Sequence, residues 1–176
     1  MPFPFRGDLW GIEARSFRIR YTPFVHNFWL LVAPNGTPAG QIHGLAVDPA
    51  TGRAKAIGNS HHLLQAVFDT AIIWSLQPGQ PCAIAASDCE QAIRTRWQAA
   101  LAAIPALNAL QLPYPNIWQH GYKPNSNSIF TTIGQILGFA HPDRLLTAWA
   151  PGAAISIAPE IVAKFRYREI TPKHKP

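Results

Sequence analysis

The alternation of apolar and polar residues predicts a meander of strands in the first half of the chain. Residues 16–21 alternate polar and apolar side chains, which is typical of a half-buried strand. Residues 24–33 form a nearly continuous apolar run rich in β-forming residues, and a Pro-Asn-Gly turn separates it from another strand at 40–47. We therefore expect an antiparallel sheet, with residues 1–13 wrapping its surface.

The middle of the chain combines an ambiguous segment with a clear helix. Residues 60–74 fit either an N-capped helix or two short strands, and residues 81–86 resemble a further short strand. Ser87 and Glu90 then have the spacing of a capping box, and Pro105 is expected to end the helix that they begin. The predicted buried stripe of this helix comprises Cys89, Ile93, Trp97, Ala100, Leu101 and Ile104.

A second helix is predicted to begin in the polar segment Asn-Ser-Asn-Ser at 125–128. A proline- and aromatic-rich loop over 105–124 leads into it, and Asn125 or Ser126 is a good N-cap residue. Apolar residues then recur at helical spacing as far as a stop at Gly138. Beyond it we expect a short apolar stretch at 155–165 and a basic tail.

Composition fits one folded α+β domain. The chain has 176 residues, of which 48% are hydrophobic and 14% charged, enough to bury a core. Seventeen prolines and twelve glycines argue against a plain helical bundle. We expect a single domain with a core at about 16–138 and a C-terminal extension at 139–176.

The formal charge of +6 suggests nucleic acids and anionic cell envelopes as partners. The basic residues are scattered, however, and no basic–aromatic groove pattern is present, so nucleic-acid binding is the weakest of the functions considered. The only local concentration of charge is in the tail, at Lys164, Arg166, Arg168, Lys173 and Lys175.

The sequence shows neither a signal peptide at its N-terminus nor an apolar run of membrane-spanning length. We therefore expect a protein that is cytoplasmic or exported by a non-classical secretion system.

No cofactor or metal is expected. Cys82 and Cys89 lack the further ligands that a zinc site needs, and whether they pair is left open. The adjacent residues His61 and His62 point in different directions on either a helix or a strand, so a metal shared between them is not expected.

Three polar residues from separate elements suggest nucleophilic catalysis. His26 begins the apolar strand and His43 lies midway along the next, where a hairpin can bring the two rings together. Ser126 lies in the first turn of the second helix, where free N–H groups and the helix dipole stabilise an anion. Serine needs an adjacent base and an orienting group, so we expect Ser126 as nucleophile, His26 as base and His43 as orienter.

Ser128 is an alternative nucleophile, and Asn125 is a supporting residue. The competing interpretation is structural, because serine and asparagine are common cap residues and histidines in apolar strands are mostly core residues.

The order of these motifs resembles the circularly permuted papain-like superfamily, which includes lecithin retinol acyltransferase-like enzymes and bacterial cell-wall amidases. The resemblance rests on Val-His-Asn-Phe-Trp around His26, Gln-Ile-His-Gly around His43, and Asn125-Ser126 followed by Phe130. It covers about residues 16–138 and implies a papain-like permuted fold. The Asn-Ser-Asn-Ser segment also resembles domains of bacterial secreted effectors and polymorphic toxins.

The resemblance implies an acyl-transfer hydrolase, an amidase, peptidase or esterase. Its substrate would be peptidoglycan, a lipid ester or a protein amide, and an antibacterial effector acting on the cell envelope would have an immunity protein as partner. This chain departs from the family at one position, since serine stands where the cysteine nucleophile is expected. The alternative is therefore a catalytically inactive papain-like module that binds a partner or has a structural role.

Overall fold

The first three strands of the chain lie side by side in the order in which they occur. The computed structural model describes residues 8–20, 22–70 and 75–169. All pairings are antiparallel, and the strands follow the order β4-β3-β2-β1-β6, with β5 also paired to β3. The strands are β1 (Trp10–Arg18), β2 (Val25–Val32), β3 (Pro38–Val47), β4 (Ala54–Lys55), β5 (Leu63–Asp69) and β6 (Cys82–Asp88). The predicted meander is confirmed.

Helices cover one face of this open sheet and form the main core with it. Trp29 of the fully buried strand β2 stacks on Phe130 with a centroid distance of 4.6 Å, and its Nε1–H donates to the Phe130 carbonyl at 2.8 Å. The helices are α1 (Glu90–Asn108), α2 (Ser126–Ile136) and α3 (Pro159–Phe165), and short 3-10 turns occupy 117–119 and 142–144. The described chain is thus a single small α+β domain. None of its helices has the length and apolar character needed to cross a membrane.

The opposite face of the sheet carries both histidines of the predicted site. His26 lies 4.9 Å from Phe17 between ring centroids, and His43 stacks on Phe28 at 4.6 Å. Phe28 belongs to a second apolar cluster with Leu30 and Val32, separate from the core beneath the helices. Alternation along β2 and β3 therefore directs the histidines away from the helical layer.

Strands β2 and β3 separate at the end of the sheet where the site lies. Their ladder stops at the pair Phe28↔His43, although both strands continue past it. The next residue of β3, Gly44, lies against the N-terminus of α2, where an added Cβ would meet the Ser126 carbonyl oxygen at 2.5 Å. The helix N-terminus therefore occupies the gap between the separated strands.

Long-range strand pairing explains why two predicted boundaries were wrong. β1 starts at Trp10 because Trp10 and Gly11 pair with Asp88 and Ser87 of β6, so residues 10–13 belong to the sheet. The same pairing holds Ser87 in a strand, and α1 begins only at Glu90 with Cys89 as an N-cap that makes no side-chain hydrogen bond. Cys89 is exposed and does not belong to the buried stripe.

Two further differences concern α1 and the ambiguous segment. Pro105 lies inside α1 and does not end it, because the buried stripe continues through Ala103 to Leu107 and outweighs one missing hydrogen bond near the C-terminus. Residues 63–69 form a single strand. The predicted features at residues 1–7, 21, 71–74 and 170–176, including Lys173 and Lys175, lie outside the described residues.

Replacing Gly44 by alanine should loosen the contact between β3 and α2. The new methyl group would also meet the Cα of Ser126 at 2.8 Å and the Cβ of Ile129 at 2.6 Å, so a backbone or a packed side chain must shift. We expect urea unfolding to show a loss of about 1–3 kcal/mol. Gly11→Ala is the matched strand control, since its nearest contact would be an ordinary 3.6 Å. Equal stability of the two variants would contradict the close approach.

Candidate active site

The two histidines form a hydrogen-bonded pair, as the hairpin pattern predicts. His26 Nε2 lies 3.0 Å from His43 Nδ1, and the rings are only 6% and 2% exposed. His43 Nε2 in turn lies 2.7 Å from the amide oxygen of Gln41, which also accepts a hydrogen bond from the Ser75 hydroxyl. A continuous string therefore runs from His26 through His43 to Gln41.

The amide oxygen of Gln41 sets the tautomers along this string. With the Gln41 amide oxygen toward His43, an orientation that leaves the buried Gln41 Nε2 without a partner among the described residues, His43 carries its proton on Nε2 and accepts on Nδ1. His26 must then donate through Nε2, which leaves its Nδ1 as an unprotonated nitrogen in the neutral ring. No hydrogen bond to this Nδ1 is found among the described residues. His26 thus has the lone pair that a general base requires.

Burial keeps both rings neutral at physiological pH. Desolvation lowers the pKa of His26 from 6.5 to about 4. The pKa of His43 is lowered further, first by burial and then by the neighbouring His26. A proton added to either ring would be poorly solvated and close to the other ring. His26 is consequently available as a base over the whole neutral range.

Ser126 is the first residue of α2 and is largely buried at 6% exposure. The Tyr114 hydroxyl donates to Ser126 Oγ over 3.3 Å. Burial raises the pKa of Tyr114, so the phenol stays protonated. The backbone N–H of Ser126 also interacts with the phenol oxygen of Tyr114. This N–H and the Tyr114 hydroxyl are the two donors that the structure places beside Ser126 Oγ.

Ser128 and Asn125 have capping roles. Asn125 is the N-cap of α2, and its Oδ1 accepts from the Asn127 N–H at 2.9 Å. The Ser128 hydroxyl accepts from the Asn125 N–H at 3.1 Å and donates to the Gly152 carbonyl at 2.8 Å. It is fully buried, and Ser126 rather than Ser128 lines the adjacent cavity. The capping box leaves Ser126 as the better placed of the two candidate nucleophiles.

The side chain of Asn127 holds α2 against the strand that carries His26. Its Oδ1 accepts from the Asn27 N–H at 2.9 Å, and its Nδ2 donates to the Val25 carbonyl at 3.0 Å. These are the backbone groups on either side of His26, on the edge of β2 that β3 has left. Asn127 thus replaces a strand partner and fixes the backbone of His26 relative to Ser126.

His26 and Ser126 face a common cavity of about 590 Å³, a size typical of small-molecule sites. Tyr114 joins them in its lining. No hydrogen bond between His26 and Ser126 is found among the described residues, so any proton transfer between them requires a closer approach on substrate binding. The remaining lining residues are Phe17, Arg18, Ile19, Arg20, Gly44, Leu45, Ala46, Ala54, Lys55, Ala56, Ile57 and Gln77.

Sequence reasoning did not identify Gln41, Tyr114 or Asn127 as site residues. Gln41 had a local signal, because it lies two positions before His43 and therefore on the same face of β3. Asn127 lay within the polar segment that was singled out, but its partners are 100 and 102 residues away. No local pattern connects Tyr114 with Ser126.

The histidines and cysteines that were considered as metal ligands lie in exposed parts of the structure. His62 Nδ1 accepts from the Asn59 N–H at 3.1 Å, in an exposed turn. Cys82 and Cys89 are exposed free thiols. Within residues 8–20, 22–70 and 75–169, no group of three potential metal-ligating side chains comes together.

Comparison with known proteins gives no relative, since no protein-family model, curated protein or solved structure matches this chain. The resemblance to the permuted papain-like superfamily therefore stays a prediction.

The two buried histidines should make the protein less stable in mild acid. Their pKa values are lower in the folded state than in the unfolded chain, so the unfolded state takes up protons first as the pH falls below 6.5. Stability is therefore highest above pH 6.5 and is lost toward pH 4, by up to about 1.4 kcal/mol per pH unit for each proton.

Thermal melting between pH 7 and pH 4.5 measures this loss. His43→Gln, which keeps a hydrogen-bonding group and removes a titrating ring, should flatten the pH dependence. His141→Gln, a change of an exposed histidine, serves as the control. The interpretation is wrong if His43→Gln retains the full pH dependence of the wild type.

Asn127→Leu should destabilise the fold and displace His26. It leaves the buried Asn27 N–H and Val25 carbonyl without their partner, at a cost of about 2–4 kcal/mol. Asn108→Leu is a matched control, because Asn108 makes the same type of two-bond contact with Ala66 of β5. Both changes should lower the free energy of unfolding, but only Asn127→Leu should shift the ring NMR signals of His26. Unchanged His26 signals would refute the positioning role.

Proposed function

We propose that this protein is an acyl-transfer hydrolase that cleaves an amide or ester bond. The observation that carries the proposal is the His26–His43–Gln41 string, whose unprotonated nitrogen belongs to a ring lining the same cavity as Ser126. A neutral buried histidine and a serine at a helix N-terminus, with a protonated tyrosine beside it, are components that acyl transfer uses.

Each residue has a defined role in the proposed reaction. Ser126 Oγ bonds to the substrate carbonyl carbon while its proton passes to His26 Nδ1. The oxyanion is held by the Ser126 N–H and the Tyr114 hydroxyl. The C–N or C–O bond then breaks, and His26 returns the proton to the departing amine or alcohol. Water attacks the acyl-serine by the same route in reverse, giving a carboxylic acid and free Ser126.

His43 and Gln41 act through His26. His43 accepts the Nε2–H of His26 and so directs Nδ1 toward the reaction, and Gln41 fixes the tautomer of His43. A carboxylate in this position would stabilise imidazolium, whereas the amide of Gln41 does so only through its dipole. The proposed site is therefore a Ser-His-His arrangement with a neutral outer partner.

A second candidate is an inactive binding module. It is favoured by one observation, that Ser126 Oγ is held by Tyr114 and makes no hydrogen bond to His26 among the described residues. The first proposal extends to a papain-like origin, an antibacterial effector role, an immunity protein as partner and a peptidoglycan, lipid or protein substrate.

Reaction with a fluorophosphonate tests for an activated serine. We expect one covalent adduct by intact mass, lost in Ser126→Ala and in His26→Ala, because each change removes one partner of the proton transfer. Ser128→Ala should retain the adduct at temperatures where it is folded. The labelling rate should fall in acid with a midpoint near the pKa of His26, about 4, because the protonated ring cannot act as base.

Ser126→Cys separates an inactive site from one that excludes the probe. The thiol introduced beside a competent His26 should react with iodoacetamide faster than the exposed Cys82 and Cys89, which serve as internal controls in the same molecule. Adduct formation in Ser128→Ala but not in Ser126→Ala supports the proposal. A wild type without adduct, together with an unreactive introduced thiol in Ser126→Cys, would establish the binding module instead.

A further inference from the structure

The cavity beside Ser126 combines apolar walls with a cationic rim. Its walls include the larger apolar side chains Phe17, Ile19, Leu45 and Ile57, together with Ala46, Ala54 and Ala56. Arg18, Arg20 and Lys55 are the charged residues that line it, and the lining residues described by the structure include no aspartate or glutamate. A ligand that fills this space meets apolar walls, the neutral polar groups of His26, Gln77, Tyr114 and Ser126, and no charge other than positive charge.

The exposure of the lining residues increases from the inner end of the cavity to its mouth. His26, Ser126 and Tyr114 are at most 7% exposed and mark the inner end. Arg18 and Lys55 are exposed, and Ile57, which also lines the cavity, is 66% exposed. The reactive end is thus buried, and the charged groups lie where the cavity opens to solvent.

Lys55 is able to exchange its present partner for a ligand. Its Nζ lies 3.1 Å from Asp48 Oδ2, in a pair whose side chains are 40% and 23% exposed. An ion pair of this exposure contributes little and is easily replaced by another carboxylate or phosphate. Asp48 itself is not among the lining residues.

We propose that the cavity binds an acyl compound in which an apolar segment separates the scissile carbonyl from an anionic group. The carbonyl lies at Ser126, the apolar segment fills the cavity, and the anionic group meets Arg18 and Lys55 at the mouth. The orientation of the carbonyl rests on the proposed function. The requirement for a chain and a negative charge rests on the cavity alone.

Binding to the Ser126→Ala variant tests the ligand class without catalysis. The probes are octanoate, which has chain and charge, octanamide, which has the chain alone, and acetate, which has the charge alone. Isothermal titration calorimetry should show octanoate binding at least tenfold more tightly than either. Decanoate should bind more tightly than octanoate, on the order of tenfold, because each fully buried methylene raises affinity about fourfold.

Charge variants at the mouth locate the site. Arg18→Gln and Lys55→Gln should each weaken octanoate binding several-fold and leave octanamide binding unchanged. Arg144→Gln and Lys164→Gln, which change cations outside the lining, are the matched controls. Ile57→Asp should weaken octanoate binding more than Ile57→Asn, because only the aspartate adds a repulsive charge at the same position.

Three results would overturn the proposal. Equal affinity for octanoate and octanamide would show an apolar slot without charge selection, and equal affinity for octanoate and acetate would show surface anion binding only. Absence of binding by all probes at millimolar concentration would show that the cavity is no ligand site. A wild type that binds octanoate but gives no fluorophosphonate adduct, together with an unreactive thiol in Ser126→Cys, would retain this inference and reject the hydrolase.

Discussion

The contact between Asn127 and the backbone around His26 is the interaction on which the site depends. Where β2 and β3 part, the N–H of Asn27 and the carbonyl of Val25 would be buried without partners. Each unpaired group would cost about 1–3 kcal/mol, so the strands can separate only because a side-chain amide replaces the lost ladder. Gly44 completes the arrangement, since any larger residue would keep the helix away.

This separation also explains how residues from opposite sides of the sheet reach one cavity. The histidines project from the face that carries Phe28, whereas α2 packs on the face that carries Trp29. A continuous ladder between β2 and β3 would place the sheet between His26 and Ser126. The gap that the helix N-terminus fills is the opening through which both reach the same space.

Local sequence patterns predicted the parts of the fold that local physics determines. The apolar run at 24–33, the strand at 40–47 and the cap at Asn125 were recognisable because their signals lie within a few residues. The start of β1 at Trp10 was not, because pairing with β6 about 77 residues later decides it. The capping box predicted at Ser87 was wrong for the same reason, because Ser87 and Asp88 pair with β1 and therefore belong to a strand.

The residues of the candidate site likewise divide into those that local sequence patterns predict and those that they do not. His26, His43 and Ser126 stand out by residue type and position, and strand pairing makes the two histidines neighbours. Gln41 shares a face with His43, which alternation implies but does not single out. Asn127 and Tyr114 act across 100 and 12 residues of chain, and their partners depend on how the helix docks. Which polar residue contacts the candidate nucleophile can therefore be read only from the assembled fold.

The hydrogen bond from Tyr114 bears directly on the proposed role of Ser126 as nucleophile. Tyr114 stays protonated and donates to Ser126 Oγ, so the serine accepts and its own proton remains free for His26 Nδ1. A Cβ at Gly58 would overlap the Tyr114 ring, and His120 contacts that ring edge to face, so packing fixes the position of the phenol beside Ser126. As Ser126 Oγ bonds to the carbonyl carbon, the Tyr114 hydroxyl would transfer its hydrogen bond to the oxyanion that forms. Because neither His43 nor Gln41 offers a negative charge to offset imidazolium, the proposed reaction depends on this donor and on the helix N-terminus to stabilise the transition state.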